Sequence, residues 1–275
     1  MIKPMLAYKV DKKPVDWSEK VFLQPKLDGV RCVISKDGAF SRTGKPWLNI
    51  DHILSDLKPV FKRYPDLILD GELYNHDLKS DFEKIISLVR KTKPTAVDRV
   101  ESCDLVQFHC YDYIDTSAKF EERMKFLSTA ELYSYCVKYV PTHTVESALY
   151  THILHDVNLT KGYEGSILRL NKPYEQKRSY NLQKFKDFSD TEATIVGYEA
   201  GKGKFTGLIG KFFMQDDDGN EFGCPIGKGY NYADRKVILD NIHDYIGQRA
   251  TFTYFQRTQA GSYRHPLFKT LHNYE

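Results

Sequence analysis

Apolar residues in this chain switch repeatedly between strand-like and helix-like spacing, and each switch marks an expected element. "VFLQPKLDGVRCVIS" (21–35) gathers apolar residues in short runs around Asp28-Gly29 and predicts two strands joined by a turn. Ile53, Leu54, Leu57, Val60, Phe61 and Tyr64 then recur at helical spacing over 51–64, with Asp51 placed to cap that helix. "LILDGELY" (67–74) returns to strand texture, and "SDFEKIISLVRK" opens on a Ser80-to-Glu83 capping box that predicts a second helix. "DLVQFHCYDYI" (104–114) reads as a strand with polar interruptions. Helical patterns over 119–139 and 145–157 follow, the latter capped by Thr144, and strands are expected over 163–170 and 182–188.

Beyond Asp190 the texture changes. Short β-rich runs alternate with glycine-containing turns, and "DDDGNE" (216–221) has the composition of a hairpin tip. One helix over 232–245 precedes a return to strand in "RATFTYFQRT". Short strands with a single helix suit a small β-barrel. The boundary falls at 189–191, so the expected domains are 1–189 and 190–275, with no internal repeat or low-complexity tract.

Composition adds bounds. With 275 residues, 41% hydrophobic and 28% charged, the chain has the make-up of a soluble protein large enough for two cores. A net charge of only +3 means that any nucleic-acid contact must come from locally clustered cations. The five cysteines (32, 103, 110, 136, 224) are scattered without a CxxC pair, which argues against a disulfide framework or a cysteine zinc site. "MIKPMLAYKVDKKP" has no apolar signal region, and no window approaches the ~18 apolar residues of a membrane span. A cytoplasmic protein with no membrane contact is the expectation.

The chemistry begins at Lys26 in "KLDGVR". An ordinary lysine is protonated at neutral pH and must be desolvated or placed near other cations before it can act as a nucleophile. Arg31 supplies charge close in sequence, and Gly29 allows a tight turn, although the hexapeptide alone also fits a plain hairpin with a solvated lysine. Asp70-Gly71-Glu72, Tyr111-Asp112, Glu164-Gly165 and Lys184-x-Lys186 follow in order. Taken singly they read equally well as a turn, a strand-end acid or an exposed strand face. Together they provide two carboxylates for a divalent metal, cations for phosphates and an aromatic face for a base. Attack on a nucleotide phosphate needs that inventory.

In order and spacing the set resembles the ATP-dependent DNA ligases of the covalent nucleotidyltransferase superfamily, in a compact viral or phage form. The resemblance runs from "KPMLA" to "RHPLFK": "KLDGVR", "SRTGK", "LDGELY", "FHCYDYI", "EGSILR" and "LQKFKDF" match the transferase motifs in order, and "YRHPLFKTL" the last motif. It implies an α+β fold: an ATP-grasp-like nucleotidyltransferase domain of antiparallel sheets and flanking helices, then a small OB-fold β-barrel. It implies Lys26 as the nucleophile that becomes adenylylated, and nucleotide-binding roles for Gln24, Arg31, Glu72, Tyr111, Glu164, Lys184 and Lys186. Tyr111 would stack on adenine, Lys184 and Lys186 would contact the α-phosphate, and Arg42 would hold the 5′-phosphate of a nick. Glu72 and Glu164 would form the metal site. ATP and Mg²⁺ (or Mn²⁺) are the implied cofactors, and nicked duplex DNA the implied partner. A monomer without a deducible protein partner, serving replication, repair or recombination in a virus-infected cell, completes the picture.

The last motif departs from the family pattern. "KTLHNYE" has His272 where relatives carry a further arginine, leaving Arg264 and Lys269 for pyrophosphate or DNA. Lys202, Lys204 and Lys211 read either as duplex-backbone contacts or as a charged hairpin edge, within a region, 201–222, that is the candidate loop for embracing DNA. There are four rival readings. An mRNA-capping guanylyltransferase shares the lysine motif, but "SRTGK" and the glutamate of "EGSILR" resemble the ligases. RNA ligases lack this Asp-Gly-x-Arg form, and NAD-dependent ligases bring a cysteine zinc module. A non-catalytic OB-fold nucleic-acid-binding protein is the rival outside enzymes.

Overall fold

The structure, a computed structural model, describes all residues except 1, 80, 186–188, 228, 255–256, 258–261, 264 and 272–275. Two units separate, Met1–Lys186 and Asp187–Glu275. In the first, β1 (Leu6–Lys9), β2 (Val21–Lys26), β3 (Val30–Ser35) and β4 (Gly38–Phe40) precede α1 (Asp51–Arg63). Next come β5 (Leu69–Tyr74), α2 (Phe82–Val89), α3 (Ala96–Leu105), β6 (Gln107–Tyr113), α4 (Phe120–Thr129) and β7 (Val137–Tyr139). β8 (His143–Val145), α5 (Ala148–Thr160), β9 (Gly165–Leu170) and β10 (Arg178–Phe185) complete it.

These strands form two five-stranded sheets, ordered β1-β10-β9-β2-β8 and β4-β3-β5-β6-β7. Pairing is antiparallel apart from β1 with β10 and β6 with β7. The register places the motif residues side by side. Lys26 lies opposite Gly165, Arg31 opposite Glu72, and Lys184 opposite Ile167. Behind the second sheet, Cys32, Ile34 and Leu69 pack on Ile53, Leu57 and Phe61 of α1 and on Leu88 of α2. Val21, Leu23, Val145 and Leu168 form the smaller core of the first sheet. Gly29 is required at the turn between β2 and β3, because a Cβ there would lie 2.4 Å from the Leu73 carbonyl oxygen.

Several expected boundaries move for physical reasons. Asp51 is the first helical residue of α1, whose cap position is Ile50, so it serves the helix dipole and not the cap. Ser80 lies outside the described residues, and Asp81 caps α2 by accepting from the Lys84 backbone N–H. The expected strand at 104–114 begins only at Gln107, after an unforeseen helix, α3, that opens on a Thr95–Asp98 capping box. That helix exposes Val97 and Val100 and so carries no apolar face for the spacing to reveal. The pattern over 119–139 divides into α4 and β7, and α5 is capped by Ser147, with Thr144 in β8.

In the second unit, β11 (Ser189–Ala200), β12 (Ile209–Gln215), β13 (Glu221–Pro225), α6 (Tyr232–Asp240), β14 (Arg249–Tyr254) and β15 (Leu267–Leu271) follow in order. The five strands form one antiparallel sheet, β13-β12-β11-β14-β15. Ile195, Phe212, Phe252 and Phe268 pack beneath Ile238 of α6 in an OB-like arrangement. The expected barrel is not a closed ladder among the described residues: its edge strands are linked by the isolated bridge between Ile226 and Phe268. The hairpin tip forms as expected, with Asp216 and Asn220 bonded through their backbones and Gly219 at φ +85°.

Candidate active site

A cavity of about 470 Å³ in the first unit is lined by residues of β2, β3, β5, β6, β9 and β10. Gln24, Lys26, Arg31, Arg42, Glu72, Tyr111 and Lys184 all reach it. Lys26 ends β2, and its Nζ is ion-paired with Glu164 Oε2, both side chains being largely buried. The Glu164 backbone N–H donates to the Lys26 carbonyl at 3.0 Å, so strand pairing itself delivers the carboxylate to the amine. Gly165 follows at φ +147°, a conformation that side-chain-bearing residues rarely adopt, and a Cβ there would lie 2.4 Å from the Phe185 carbonyl oxygen.

Glu72 shares this electrostatic neighbourhood. Burial pushes its carboxyl up to about 8, with Lys26 and Arg31 pulling the other way and Asp70 and Glu164 adding to the rise. The Tyr111 hydroxyl donates to Glu72 Oε2 at 3.4 Å. Burial raises the Tyr111 phenol well above its ordinary range and keeps it neutral. Its ring has the Arg31 and Arg169 guanidinium carbons 5.6 and 5.2 Å from its centre. Arg31 does not point freely into the cavity. It forks onto Asp70 with bonds of 2.9 and 2.5 Å, and against the lowering effect of burial that carboxylate, with Tyr111 and Tyr174, holds the guanidinium well above its ordinary range. Tyr174 completes the cluster, donating to Asp70 at 2.7 Å and accepting from the Met5 N–H at 2.7 Å.

A second buried network, without a role in the sequence reading, lies beneath the aromatic wall. Asp112, fully buried, accepts from Arg123 at 2.7 and 3.1 Å and from Arg169 at 2.8 Å. Arg169 also donates to Gln24 Oε1 at 2.5 Å, while the Gln24 amide donates to the Tyr111 carbonyl at 3.1 Å and Thr142 Oγ1 at 2.9 Å. Gln24 is thus locked by the protein. The available signal was a charge inside an apolar run: Arg169 sits in "ILRL" and Asp112 between two tyrosines.

Arg42 lies exposed on the turn Ser41–Lys45, which is closed by Ser41 Oγ accepting from the Lys45 N–H at 2.9 Å. Arg90 and Arg178, also exposed, line the same cavity and were missed because Arg90 lies in a stretch read only as a helix and Arg178 in none of the transferase motifs. Lys186 and Arg264 lie outside the described residues. Lys202, Lys204, Lys211 and Lys269 belong to the second unit. There Lys202 and Lys211 face Glu199 at 3.9 and 3.2 Å, Lys269 pairs with Asp190, and Lys204 lies 5.1 Å from the Phe205 ring centre.

Among the described residues no group of three or more His, Cys, Asp or Glu side chains is arranged to enclose a metal ion. Glu72 and Glu164 beside Lys26 nevertheless fit an ion of the Mg²⁺ type, which takes one or two carboxylates and fills its shell with phosphate oxygens and water. No helix among the described residues is long and apolar enough to cross a membrane.

Comparison with known proteins points the same way. A family model described as the ATP dependent DNA ligase domain matches residues 4–186, and one described as the DNA ligase OB-like domain matches 200–271. The DNA ligase of Haemophilus influenzae is 26% identical over 273 residues, which are 97% of this chain and 90% of the relative. The DNA ligase of African swine fever virus is 29% identical over 262 residues, 88% of this chain and 60% of that longer protein. A solved structure from a study of DNA binding with a minimal scaffold in Lig E DNA ligases superposes with a TM-score of 0.82 at 22% identity, covering 99% of this chain and 100% of the other. The Chlorella virus DNA ligase-adenylate structure gives a TM-score of 0.54 at 25% identity, with 100% and 99% covered.

Proposed function

The chain belongs to the ATP-dependent DNA ligase family, and from that premise we propose how its residues divide the work of sealing a 5′-phosphate/3′-hydroxyl nick in duplex DNA. The observation that carries the reading is the Lys26–Glu164 contact in a cavity that Glu72, Tyr111, Lys184 and Arg42 also line. Lys26 Nζ attacks the α-phosphate of ATP, forming a P–N bond as the bond to pyrophosphate breaks. It must reach phosphorus as a free amine, and Glu164 gives the departing proton an acceptor in direct contact. Lys184 and Lys186 neutralise the α-phosphate, and the Tyr111 ring receives the adenine. Glu72 and Glu164 would hold the divalent ion, Mg²⁺ or Mn²⁺, which when bound supplies positive charge against the phosphates. The 5′-phosphate of the nick, held by Arg42, then takes AMP from Lys26, and the 3′-hydroxyl displaces AMP to form the phosphodiester.

In this reading residues 1–189 are the adenylyltransferase and 190–275 the OB-fold unit, in which Lys202, Lys204, Lys211, Arg264 and Lys269 face DNA or pyrophosphate. The protein acts as a monomer on nicked DNA, in the cytoplasm of an infected cell, and viral relatives support that setting.

Incubation with labelled ATP or GTP and Mg²⁺ tests the assignment. The expected result is an acid-labile adduct from ATP alone, lost in Lys26→Ala, while Lys26→Ala still seals DNA that already carries a 5′-adenylate. An adduct from GTP alone would move the chain to the capping guanylyltransferases. No adduct from either, with no sealing, would leave only nucleic-acid binding.

A further inference from the structure

Helix α5 is turned the unexpected way round. Its apolar residues Leu149, Ile153 and Val157, spaced to form one face, are 72%, 50% and 40% exposed. The side it turns inward packs Leu154 on the core of the first sheet but otherwise buries Thr151, His155 and Asn158, at 0%, 3% and 8% exposure. Burying polar side chains while leaving aliphatic ones in water is unfavourable on both counts, so the inward face has to serve a purpose. It meets Ser166, which is fully buried. Asn158 Nδ2 donates to Ser166 Oγ at 2.9 Å, and His155 Nδ1 lies 3.0 Å from the same oxygen. The imidazole also covers Gly165, since its Cε1 is 3.5 Å from where a Gly165 Cβ would be, and its ring centre is 5.4 Å from that of Phe185.

Ser166 stands opposite Pro25 in β2, directly beside the Lys26–Gly165 pair. The backbone that His155 and Asn158 hold is therefore the one from which Glu164 projects onto Lys26. Resting on the functional reading above, we propose that His155 is a positioning residue for lysine adenylylation: through Ser166 it fixes the Glu164-Gly165-Ser166 backbone and so the angle at which Lys26 is presented. Its effect falls mainly on the chemical step, because it sets how Lys26 is oriented for attack, while Glu72, Tyr111 and Lys184, which Ser166 does not hold, keep their grip on the nucleotide. Misplacing a reacting group by about 1 Å costs on the order of 100-fold in rate.

The test is single-turnover formation of the lysyl adduct by the full chain, in the presence of Mg²⁺, over a range of ATP concentrations. His155→Ala is expected to slow the saturated rate by about 10- to 100-fold, with the half-saturating ATP concentration within about twofold of the unsubstituted chain. His155→Asn keeps a polar atom near the Nδ1 position and is expected to recover most of the rate. Ser166→Ala, which removes one hydroxyl with little change of volume, is expected to match His155→Ala and provides the measurement if that variant does not fold. Equal slowing in His155→Ala and His155→Asn, a loss confined to half-saturation, or a normal rate in Ser166→Ala would each overturn the inference. No adduct on the unsubstituted chain would overturn the ligase reading and this inference with it.

Discussion

Replacing Asp112 with alanine tests how firmly the first unit depends on one buried carboxylate. Asp112 accepts three charge-assisted bonds, two from Arg123 and one from Arg169, and all three side chains are at most 5% exposed. Removing the acid strands two guanidinium groups. Arg123 retains the Ala118 and Lys172 carbonyls at 2.6 and 3.2 Å, and Arg169 retains Gln24, so the loss is partial. Breaking a buried ion pair by deleting one partner costs about 3–5 kcal/mol, and the retained carbonyl bonds place this case near the lower end, at about 3 kcal/mol. With a urea m-value of about 2.5 kcal/mol/M for a unit of this size, the midpoint falls by about 1.2 M. Trp17 and Trp47 are the only tryptophans and both lie in the first unit, so their fluorescence follows that unit in the intact chain. Adding Arg123→Met to Asp112→Ala removes one stranded cation and is expected to restore part of the loss, giving a coupling above about 1 kcal/mol. A midpoint shift below about 0.3 M, or strict additivity in the double variant, would refute the reasoning.

Two other outcomes follow from single positions. Gly29→Ala puts a Cβ 2.4 Å from the Leu73 carbonyl oxygen and 2.7 Å from Glu72 Cγ. Because β5 must move and carry Glu72 with it, a destabilisation of about 1–3 kcal/mol in urea titration is expected, together with a fall in lysyl-adduct yield. His109 is half-buried, and loss of hydration, then Lys138 and His76, lowers its imidazole to about 4 from an ordinary 6.5. The unfolded chain therefore takes up the proton first, and this contribution to stability is intact above 6.5 and lost as pH falls towards 4, by up to on the order of 3 kcal/mol. His109→Gln is expected to lose less stability than the unsubstituted chain between pH 7 and 4.5, and equal losses would exclude His109 as the cause.

The apolar run that ends in Lys26 was legible as a strand because β2 is buried along its length, so its spacing had no solvent side to confuse it. The motif carboxylates were legible for a related reason. Glu72 interrupts an apolar run within β5 opposite Arg31, and Glu164 directly precedes β9, where the Lys26–Gly165 pairing brings it to Lys26. Arg123 offered no such signal, since an arginine on a helix is ordinarily solvated and its burial depends on contacts across the fold, with Asp112, Tyr174 and the Lys172 carbonyl among them. The facing of α5 was equally hidden. Leu149, Ile153 and Val157 suggest one buried side, and the hydrogen bonds to Ser166 select the other. The caps of α2 and α5 slipped by one and three residues because Asp, Ser or Thr cluster ahead of them and local geometry chooses among them, whereas α1 starts from Ile50 with no side-chain cap.

The two sheets of the first unit differ in when a growing chain can finish them. β3 to β7 all fall within residues 30–139, so that sheet can assemble while synthesis continues. The other sheet joins β1 and β2 to strands that begin at residues 143, 165 and 178, and β1 waits about 170 residues for β10, its only partner within the sheet. Pairings over such separations form late because a long loop must close before they give any return. A nascent chain thus exposes Lys26 well before the ribosome has made the Glu164 that pairs with it, and the Lys26–Glu164 contact forms only when translation of the unit is nearly complete.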